Sequence, residues 1–557
     1  MVTVLDKTIF SLYAKDILEN PKVNKLSEYL HHKNVTRLEH SLNVAATSVK
    51  VARKYNLKVD ERSIVRGALL HYFFLYDLVN ERIENHLVRH PYIAYENAKA
   101  EFMLNDIEKD IILKHMWPIT NRLPKYKESL IVCLVDTYCA FKEKLNNLWR
   151  RERMKNILIG QSGGPTAVIN ASLYGVIKKS LENTEKIGKI YGMVNGIEGF
   201  LQGKVYDVKE NLNAEEIELL KNTPGAFLGS CRYKMPSNFS DPVYQELFKK
   251  FKEYNIGYVL YIGGNDSMDT TNKLATYASM IMSGVKILGI PKTIDNDLMG
   301  TDHTPGFGSA AKFVASMVRD ITIDAEVYDK KSVTIVEIMG RHAGWLTASS
   351  ILARKYAGDN PKLIYLPEVD FDENEFLGSV NKEFEKRKNV IVCVSEGIKD
   401  KSGTLICEYA SKATLDTFGH KNLSGCGKYL ERLVADKLGV KARSVELNVT
   451  QRCSEILASE TDILEAIECG SFAVEEILKG ETGKMVGIKR VGDYELTYEL
   501  NDVKEICNKE KAFNKEWIND EKNGIKDEFI NYVEPLIMGE PKIKYEKGLP
   551  KYVYRKV

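Results

Sequence analysis

The sequence has no CxxC pair, no excess of charge of either sign and no apolar run long enough to span a bilayer. Each absence excludes a class. The nine cysteines (133, 139, 231, 393, 407, 426, 453, 469 and 507) stand singly, which removes the paired spacing of a zinc or dithiol motif and reads as reduced cytosolic thiols. With 79 Lys and Arg against 77 Asp and Glu, the net charge is +2. So balanced a chain does not advertise nucleic acid or an anionic membrane as a partner, and it is not an acidic solvating protein either. Membrane helices need roughly 18 or more consecutive apolar residues, and none is present. The start, Met1 to Lys7, lacks the basic segment and apolar core of a signal peptide. The expectation is a soluble cytoplasmic protein that binds neither nucleic acid nor membrane.

What is present is ordinary globular material: 557 residues, 44% hydrophobic and 28% charged, enough for several cores. Two parts differ in character. Seven of the ten histidines (31, 32, 40, 71, 86, 90 and 115) precede residue 150, in a region with almost no glycine that reads as helix after helix. From Lys155 the pattern becomes strand, glycine turn, helix, repeated. The β-rich runs are NILIG (156–160), YVLYIGG (258–264), VKILGIP (285–291), SVTIVEIMG (332–340), KLIYLPE (362–368), VIVCVSEG (390–397) and RSVELNV (443–449). That alternation predicts a parallel sheet with helices on both faces. The charged run 142–155 reads as a solvated helix end or linker. The division falls near 150: an all-α region over 1–150 and an α/β region over 151–557.

The glycine turns carry the chemistry. Gly163-Gly164-Pro165 follows the first strand and opens a helix, where backbone N–H groups and the helix N-terminus suit a phosphate. Alone it reads equally as a tight turn, and it is not a Walker A loop. Gly480 to Lys484 has the wrong spacing for one and reads as a helix C-terminus and turn. Gly263 to Ser267 and Lys292 to Asp297 also follow strands, at the carboxyl ends where α/β sheets bind ligands. Asp295 and Asp297 beside Lys292 suit proton abstraction and metal or phosphate binding, though in isolation the segment reads rather as a polar loop with a Lys–Asp ion pair. Arg341, in a further strand–helix turn, suits a phosphate clamp.

Taken together, the segments IGQSGGPTAVINAS, GAFLGSCRYKM, YIGGNDSMDT, PKTIDNDLMGTDHTPGFGSA, VEIMGRHAGWL, VSEG and RSVELNVTQRC resemble the phosphofructokinase family, over roughly 154 to 557. The resemblance implies two similar Rossmann-like α/β domains with the active site in the cleft between them. It implies Mg²⁺ as cofactor, fructose 6-phosphate as acceptor, and Asp295 as the base that takes the proton of the sugar 1-hydroxyl. Thr293 and Asp297 flank that base. Met339, Gly340, Arg341 and Glu396 match sugar contacts, and Arg443 and Arg452 match 6-phosphate contacts. Gly163, Gly164 and Arg232 match donor-phosphate contacts. Because some phosphate-binding arginines of the family come from a neighbouring subunit, a homodimer or homotetramer is implied.

The donor turns on Asp266 and Lys292, where members of the family that use ATP carry glycine and those that use pyrophosphate carry Asp and Lys. A carboxylate near the α-phosphate position would repel ATP. Two charges about 4 Å apart at an effective dielectric near 20 interact by roughly 4 kcal/mol, about three decades in affinity. Pyrophosphate is therefore the expected donor, with reaction in both directions, and ATP the alternative. Asn265 replaces a metal-linked Asp, so Asn265 and Asp266 are the candidate metal ligands. Ser332 replaces an inter-subunit Arg and Val449 a sugar-phosphate His.

The N-terminal segments RLEHS, GALLHY, RHPY, KHMW and CLVDTY resemble the HD phosphohydrolase superfamily over about 30 to 142, with His40, His71, His90, His115 and Asp136 as the remnant of its metal set. The required His-Asp is here His71-Tyr72, and Asp77 is too far along to replace it, so the domain is expected to be degenerate. His31, His32 and His86 read as surface residues. An alternative of another class makes this part a nucleotide- or phosphate-sensing module and the α/β part a scaffold, but the complete set Asp295, Asp297, Arg341 and Glu396 speaks against a scaffold.

Overall fold

The computed structural model describes residues 10, 12–32, 35–76, 86–356, 358–409, 425–492 and 494–555. The side chains of His32 and His86, and Asp77 altogether, lie outside the described residues. The chain divides into two compact units, Met1–Arg153 and Met154–Val557.

The first unit is built from α1 (Arg37–Lys54), α2 (Glu61–Leu70), α3 (His86–Glu101), α4 (Asp106–Lys114) and α5 (Lys127–Arg153), with a short antiparallel pair before α1. Helix α1 starts where Thr36 and Glu39 cap each other. The Thr36 side chain accepts from the Glu39 N–H at 3.2 Å, and the Glu39 carboxylate accepts from the Thr36 N–H at 2.8 Å. Its buried residues His40, Ser41, Val44, Ala45, Ser48, Val49 and Ala52 recur at helical spacing, one stripe facing the core. That core joins Val44 and Val49 to Ile64, Leu69, Ile111 and Val132. The charged run 142–155 begins inside α5, which continues to Arg153.

The second unit contains β1 (Lys155–Gln161), α6 (Ile169–Glu182), β2 (Ile187–Met193), β3 (Val205–Asp207), β4 (Ile256–Gly263), α7 (Asn265–Met280), β5 (Lys286–Pro291), α8 (Phe307–Glu326), β6 (Ser332–Ile338), β7 (Leu363–Tyr365), β8 (Asn389–Ser395), α9 (Cys426–Leu438), β9 (Lys441–Glu446), α10 (Glu460–Lys479), β10 (Lys484–Val491) and β11 (Glu495–Asp502). Two sheets result. The larger has the order β11-β10-β5-β4-β1-β2-β3, with five parallel central strands and antiparallel edges β11 and β3. The smaller, β9-β6-β8-β7, is parallel throughout. Its strands are inserted between β5 and β10, so the chain leaves the first sheet, builds the second and returns.

The central strands are near-continuous apolar runs because helices cover both faces. Ile157, Ile159, Leu260, Ile262, Leu288 and Ile290 face one core, and Leu158, Val259, Tyr261 and Ile287 the other. The antiparallel edges went unanticipated, since an edge strand with one solvated face, such as β11, lacks that continuous signature. Helix α10 ends at Lys479 with Gly480 at φ +103°, which fits the reading of 480–484 as a cap and turn. Among the described residues no helix is long and apolar enough to cross a membrane.

Candidate active site

The parallel strands of both sheets end in the loops picked out above. β1 delivers Ser162 to Pro165, β4 delivers Gly264 to Asp266, β5 delivers Lys292 to Asp297, β6 delivers Met339 to Arg341, and β8 delivers Glu396. Strand carboxyl ends carry a row of unpaired backbone groups and short turns, which is why α/β sheets bind there.

Lys292 ties the first and third loops together. Its side chain is buried, and its ammonium donates a 2.7 Å hydrogen bond to the Gly164 carbonyl. Burial pushes its pKa down to about 8, against the opposing pull of Asp295. Gly163 has φ +77°, and a Cβ there would stand 3.4 Å from the Lys292 Nζ. At Gly164 a Cβ would stand 2.7 Å from the Arg452 Nη1. Gly164 is therefore needed for the close approach of the Arg452 guanidinium, and Gly163 for its positive φ. The Gly163 N–H itself is spent on the Cys231 carbonyl at 3.2 Å, and its carbonyl accepts from the Ser230 Oγ at 2.6 Å. The turn is thus latched to residues 230–231, and Lys292 and Arg452 supply positive charge beside it. Arg232, the next residue, is exposed, and its charge is felt at Lys292.

The two carboxylates sit on a fixed turn. The Asp295 N–H donates to the Thr293 Oγ1 at 3.1 Å. Asn296, between them, has φ +54°; its Nδ2 donates to the Tyr532 Oη at 2.9 Å and its Oδ1 accepts from the Thr304 N–H at 3.1 Å. An Asn tolerates this left-handed conformation, and its side chain pins the turn. The Asp297 carbonyl accepts from the Lys511 N–H at 2.7 Å. Burial raises the Asp295 pKa, with Lys292 and Arg341 opposing. Asp297 is pushed up to about 7 by burial and then by the charge of Asp295.

On the facing side, Gly340 has φ +141°, where a side chain would be strained. Its carbonyl accepts from the Ser395 Oγ, and its N–H points at Glu396 at 3.5 Å. Glu396 is pushed up to about 7 by burial and then by Asp295. The charge of Arg341 reaches both carboxylates. The Met339 N–H donates to the Gln451 Oε1 at 3.2 Å. Gln451 and Arg452 are adjacent, so one short turn reaches the Met339 loop with one side chain and Gly164 with the next.

Two expected residues, Asn265 and Arg443, take other places, and Asp266 stands open to solvent. Asn265 is committed to backbone: its Oδ1 accepts from the Asn508 N–H at 2.6 Å, and its Nδ2 donates to the Lys509 carbonyl at 2.7 Å. This corrects the expectation of a metal ligand there. Asp266 is exposed in the first turn of α7. Arg443 is not brought to the Asp295 cluster within the chain; it lies on the edge strand β9, 3.8 Å from Asp324 with its side chain 46% exposed.

Sequence reasoning missed Asn296, Gln451, Lys511 and Tyr532. Only Asn296 carried a local signal, as an Asn inside a tight turn. The others act from 100 or more positions away.

In the first unit, the five expected remnant residues do gather. The His40 Nε2 lies 2.8 Å from Asp136, the His71 Nε2 lies 3.5 Å from the same oxygen, and the His90 and His115 Nε2 atoms are 2.9 Å apart. His71 and His115 turn their Nδ1 atoms to the carbonyls of Ala68 and Ile112, an orientation that in metal sites aims Nε2 at the ion. Two features do not fit a metal-dependent hydrolase. The Tyr72 ring stands among the histidines, 4.6 Å from His71, 5.1 Å from His90 and 5.3 Å from His40. Its phenol is held protonated by burial. The second nitrogen of His40 is taken as well, by Glu143 at 3.1 Å. His31, expected on the surface, is instead stacked on His40 with ring centroids 3.8 Å apart and lies 3.5 Å from Glu143.

The fold and site define an α/β protein in which loops from the parallel strands of two sheets converge on half-buried carboxylates and a buried lysine. The chain belongs to the phosphofructokinase family, whose model matches residues 156–477. It is 37% identical to a pyrophosphate–fructose 6-phosphate 1-phosphotransferase from Halomonas elongata, over 71% of this chain and 95% of that one. A protein of the same name from Xanthomonas campestris pv. campestris is 39% identical over 72% and 95%. Among solved structures, the pyrophosphate-dependent phosphofructokinase from Nitrosospira multiformis superposes with a TM-score of 0.66 at 34% identity, covering 72% of this chain and 96% of that one.

Proposed function

We propose that the chain transfers a phosphoryl group from pyrophosphate to the 1-hydroxyl of fructose 6-phosphate, giving fructose 1,6-bisphosphate and inorganic phosphate, in both directions. The observation that carries this is Lys292. Its buried ammonium joins the Asp295 turn to the Gly163-Gly164 turn, so acceptor base and donor cradle share one cation. The two relatives named above and the Nitrosospira structure support the same donor.

In this mechanism Asp295 takes the proton of the 1-hydroxyl as its oxygen attacks the donor phosphorus. A base with a raised pKa is well matched to that task near neutral pH. Lys292 and Arg452, with Arg232 nearby, balance the charge on the departing phosphate, where electrostatics supplies most of the catalysis of phosphoryl transfer. Arg341 and Glu396 hold the sugar with the Met339-Gly340 backbone, and Thr293 and Asp297 flank the base. Arg443, exposed on an edge strand, is read as serving a neighbouring subunit's 6-phosphate in a homodimer or homotetramer. Asp266, exposed at the start of α7, disfavours the longer triphosphate donor.

Mg²⁺ is the proposed cofactor. The hard oxygen donors fit it: it needs only one or two carboxylates beside phosphate oxygens and water, and Asp266 and Asp297 are available. When bound it supplies charge neutralisation on the donor phosphates. We read the enzyme as cytoplasmic. The first unit is read as a degenerate HD-superfamily domain, because Tyr72 occupies the ring of histidines and His40 is consumed by two carboxylates. One equivalent of bound metal with phosphohydrolase activity in Mn²⁺ would overturn that assignment.

The enzyme reading is tested in reverse. Protein, Mg²⁺, fructose 1,6-bisphosphate and inorganic phosphate are incubated and followed by phosphorus NMR. A growing pyrophosphate signal is expected; its absence, with the bisphosphate intact, contradicts the proposal.

A further inference from the structure

Residues 541–555 cross the second unit and end against the donor loop. The Asn222 Nδ2 donates to the Lys542 carbonyl at 2.7 Å. Tyr545–Glu546 pairs with Leu549–Pro550 around Lys547 and Gly548, at φ +50° and +82°, the positive pair that a two-residue hairpin turn requires. Lys551 then reaches Glu215 at 3.0 Å. Val553 is buried in the core beneath the large sheet, and its N–H donates to the Thr223 Oγ1 at 3.2 Å. From that anchor the Arg555 Nη1 donates a 2.6 Å hydrogen bond to the Leu228 carbonyl.

Leu228 begins the stretch that holds the donor turn. Its N–H donates to the Gln161 Oε1 at 2.9 Å, and its carbonyl also accepts from the Asn195 N–H at 2.9 Å. The next residue, Gly229, has φ +77°, and a Cβ there would lie 2.6 Å from the Asn195 Nδ2 and 3.4 Å from the Arg555 Nη1. Ser230 and Cys231 then make the two hydrogen bonds that latch Gly163. Arg232 follows. An unbroken run of contacts thus leads from Arg555 through Leu228–Cys231 to Gly163, Gly164 and Lys292.

We propose that Arg555 is a positioning residue for the phosphate donor, holding the Leu228–Arg232 loop in register with the Gly163-Gly164 turn. This rests on the reading of that turn as the donor site. Arg555 does not touch the donor; it fixes the carbonyl that sets the loop. A guanidinium suits the task, because a charge-assisted bond is stronger and shorter than a neutral one. Residue 555 lies outside the span matched by the family model, and nothing in its sequence context marks it.

The test is steady-state kinetics on the full chain, using whichever of pyrophosphate and ATP the unmodified protein turns over. Arg555→Ala is expected to raise the donor KM about tenfold, a typical effect of losing one charge-assisted bond. The fructose 6-phosphate KM should stay within about twofold, and Arg555→Lys should recover part of the loss. Lys551→Ala, which removes another contact of the same segment, should leave the donor KM unchanged. A donor KM unmoved in Arg555→Ala, equal rises in both KM values, or an equal effect of Lys551→Ala would overturn the inference. If Arg555→Ala does not fold, Arg555→Gln is judged by the same criteria. Turnover with ATP alone would overturn the pyrophosphate assignment and leave this test intact, whereas turnover with neither would overturn both.

Discussion

The Lys292 ammonium and the Gly164 carbonyl are 2.7 Å apart, and this bond joins two loops 128 residues apart in the chain. In the proposed mechanism it fixes the distance between Asp295, the base, and the donor-binding turn. Replacing Lys292 by Met removes the bond and the buried charge together. A charge-assisted hydrogen bond is worth about 1.5–3 kcal/mol, so kcat/KM for the donor should fall roughly 10- to 150-fold. The fructose 6-phosphate KM should change less. Steady-state kinetics with each substrate varied in turn checks this.

Gly164 and Arg452 form the second relationship. A methyl group at 164 would meet the guanidinium at 2.7 Å and force it away. Gly164→Ala should therefore mimic part of Arg452→Ala. In a double-mutant cycle on kcat/KM the two losses should fall short of adding, since both remove the same guanidinium from the same place. Full additivity would separate the two residues.

Asn265 separates a metal ligand from a backbone clamp. Asn265→Ala removes two hydrogen bonds to residues 508–509, at a cost of about 1–3 kcal/mol in stability. The urea midpoint should drop while the Mg²⁺ concentration for half-maximal activity stays the same. A large rise in that concentration with an unchanged midpoint would make Asn265 a ligand.

The pH dependence follows from the buried charges. Asp297 and Glu396 gain protons as pH falls through about 7, raised there by burial and by Asp295, which is itself raised. On the proposed mechanism, the charged forms of Asp295 and its neighbours are therefore lost on the acid side. Lys292, lowered by burial to about 8, loses its charge as pH rises through that value. A bell-shaped kcat/KM profile between these limits is expected. In Lys292→Arg the alkaline limb should move up, because a guanidinium stays protonated.

Much of this was legible in the sequence, and the boundary is physical. The strands β1, β4, β5, β6 and β8 announce themselves as apolar runs, and each site loop follows one directly. What a loop does with its atoms was not legible. Gly163 looked like a phosphate cradle, yet its N–H goes to Cys231, 68 positions on. Asn265 looked like a weakened metal ligand, yet it clamps a segment beyond residue 500. His31 read as a surface residue, yet it stacks on His40 beside Glu143 from the far end of the unit. Periodicity reports which face of an element is buried; it carries no information about partners a hundred residues away.

The central claim is tested most directly by supplying purified protein with fructose 6-phosphate, Mg²⁺ and either pyrophosphate or ATP, and following fructose 1,6-bisphosphate. Turnover with pyrophosphate at least 100-fold above that with ATP, and abolished in Asp295→Asn, is the predicted result, the margin over ATP taken conservatively from the roughly 4 kcal/mol repulsion proposed at Asp266. Equal or better turnover with ATP, or full activity in Asp295→Asn, would contradict it.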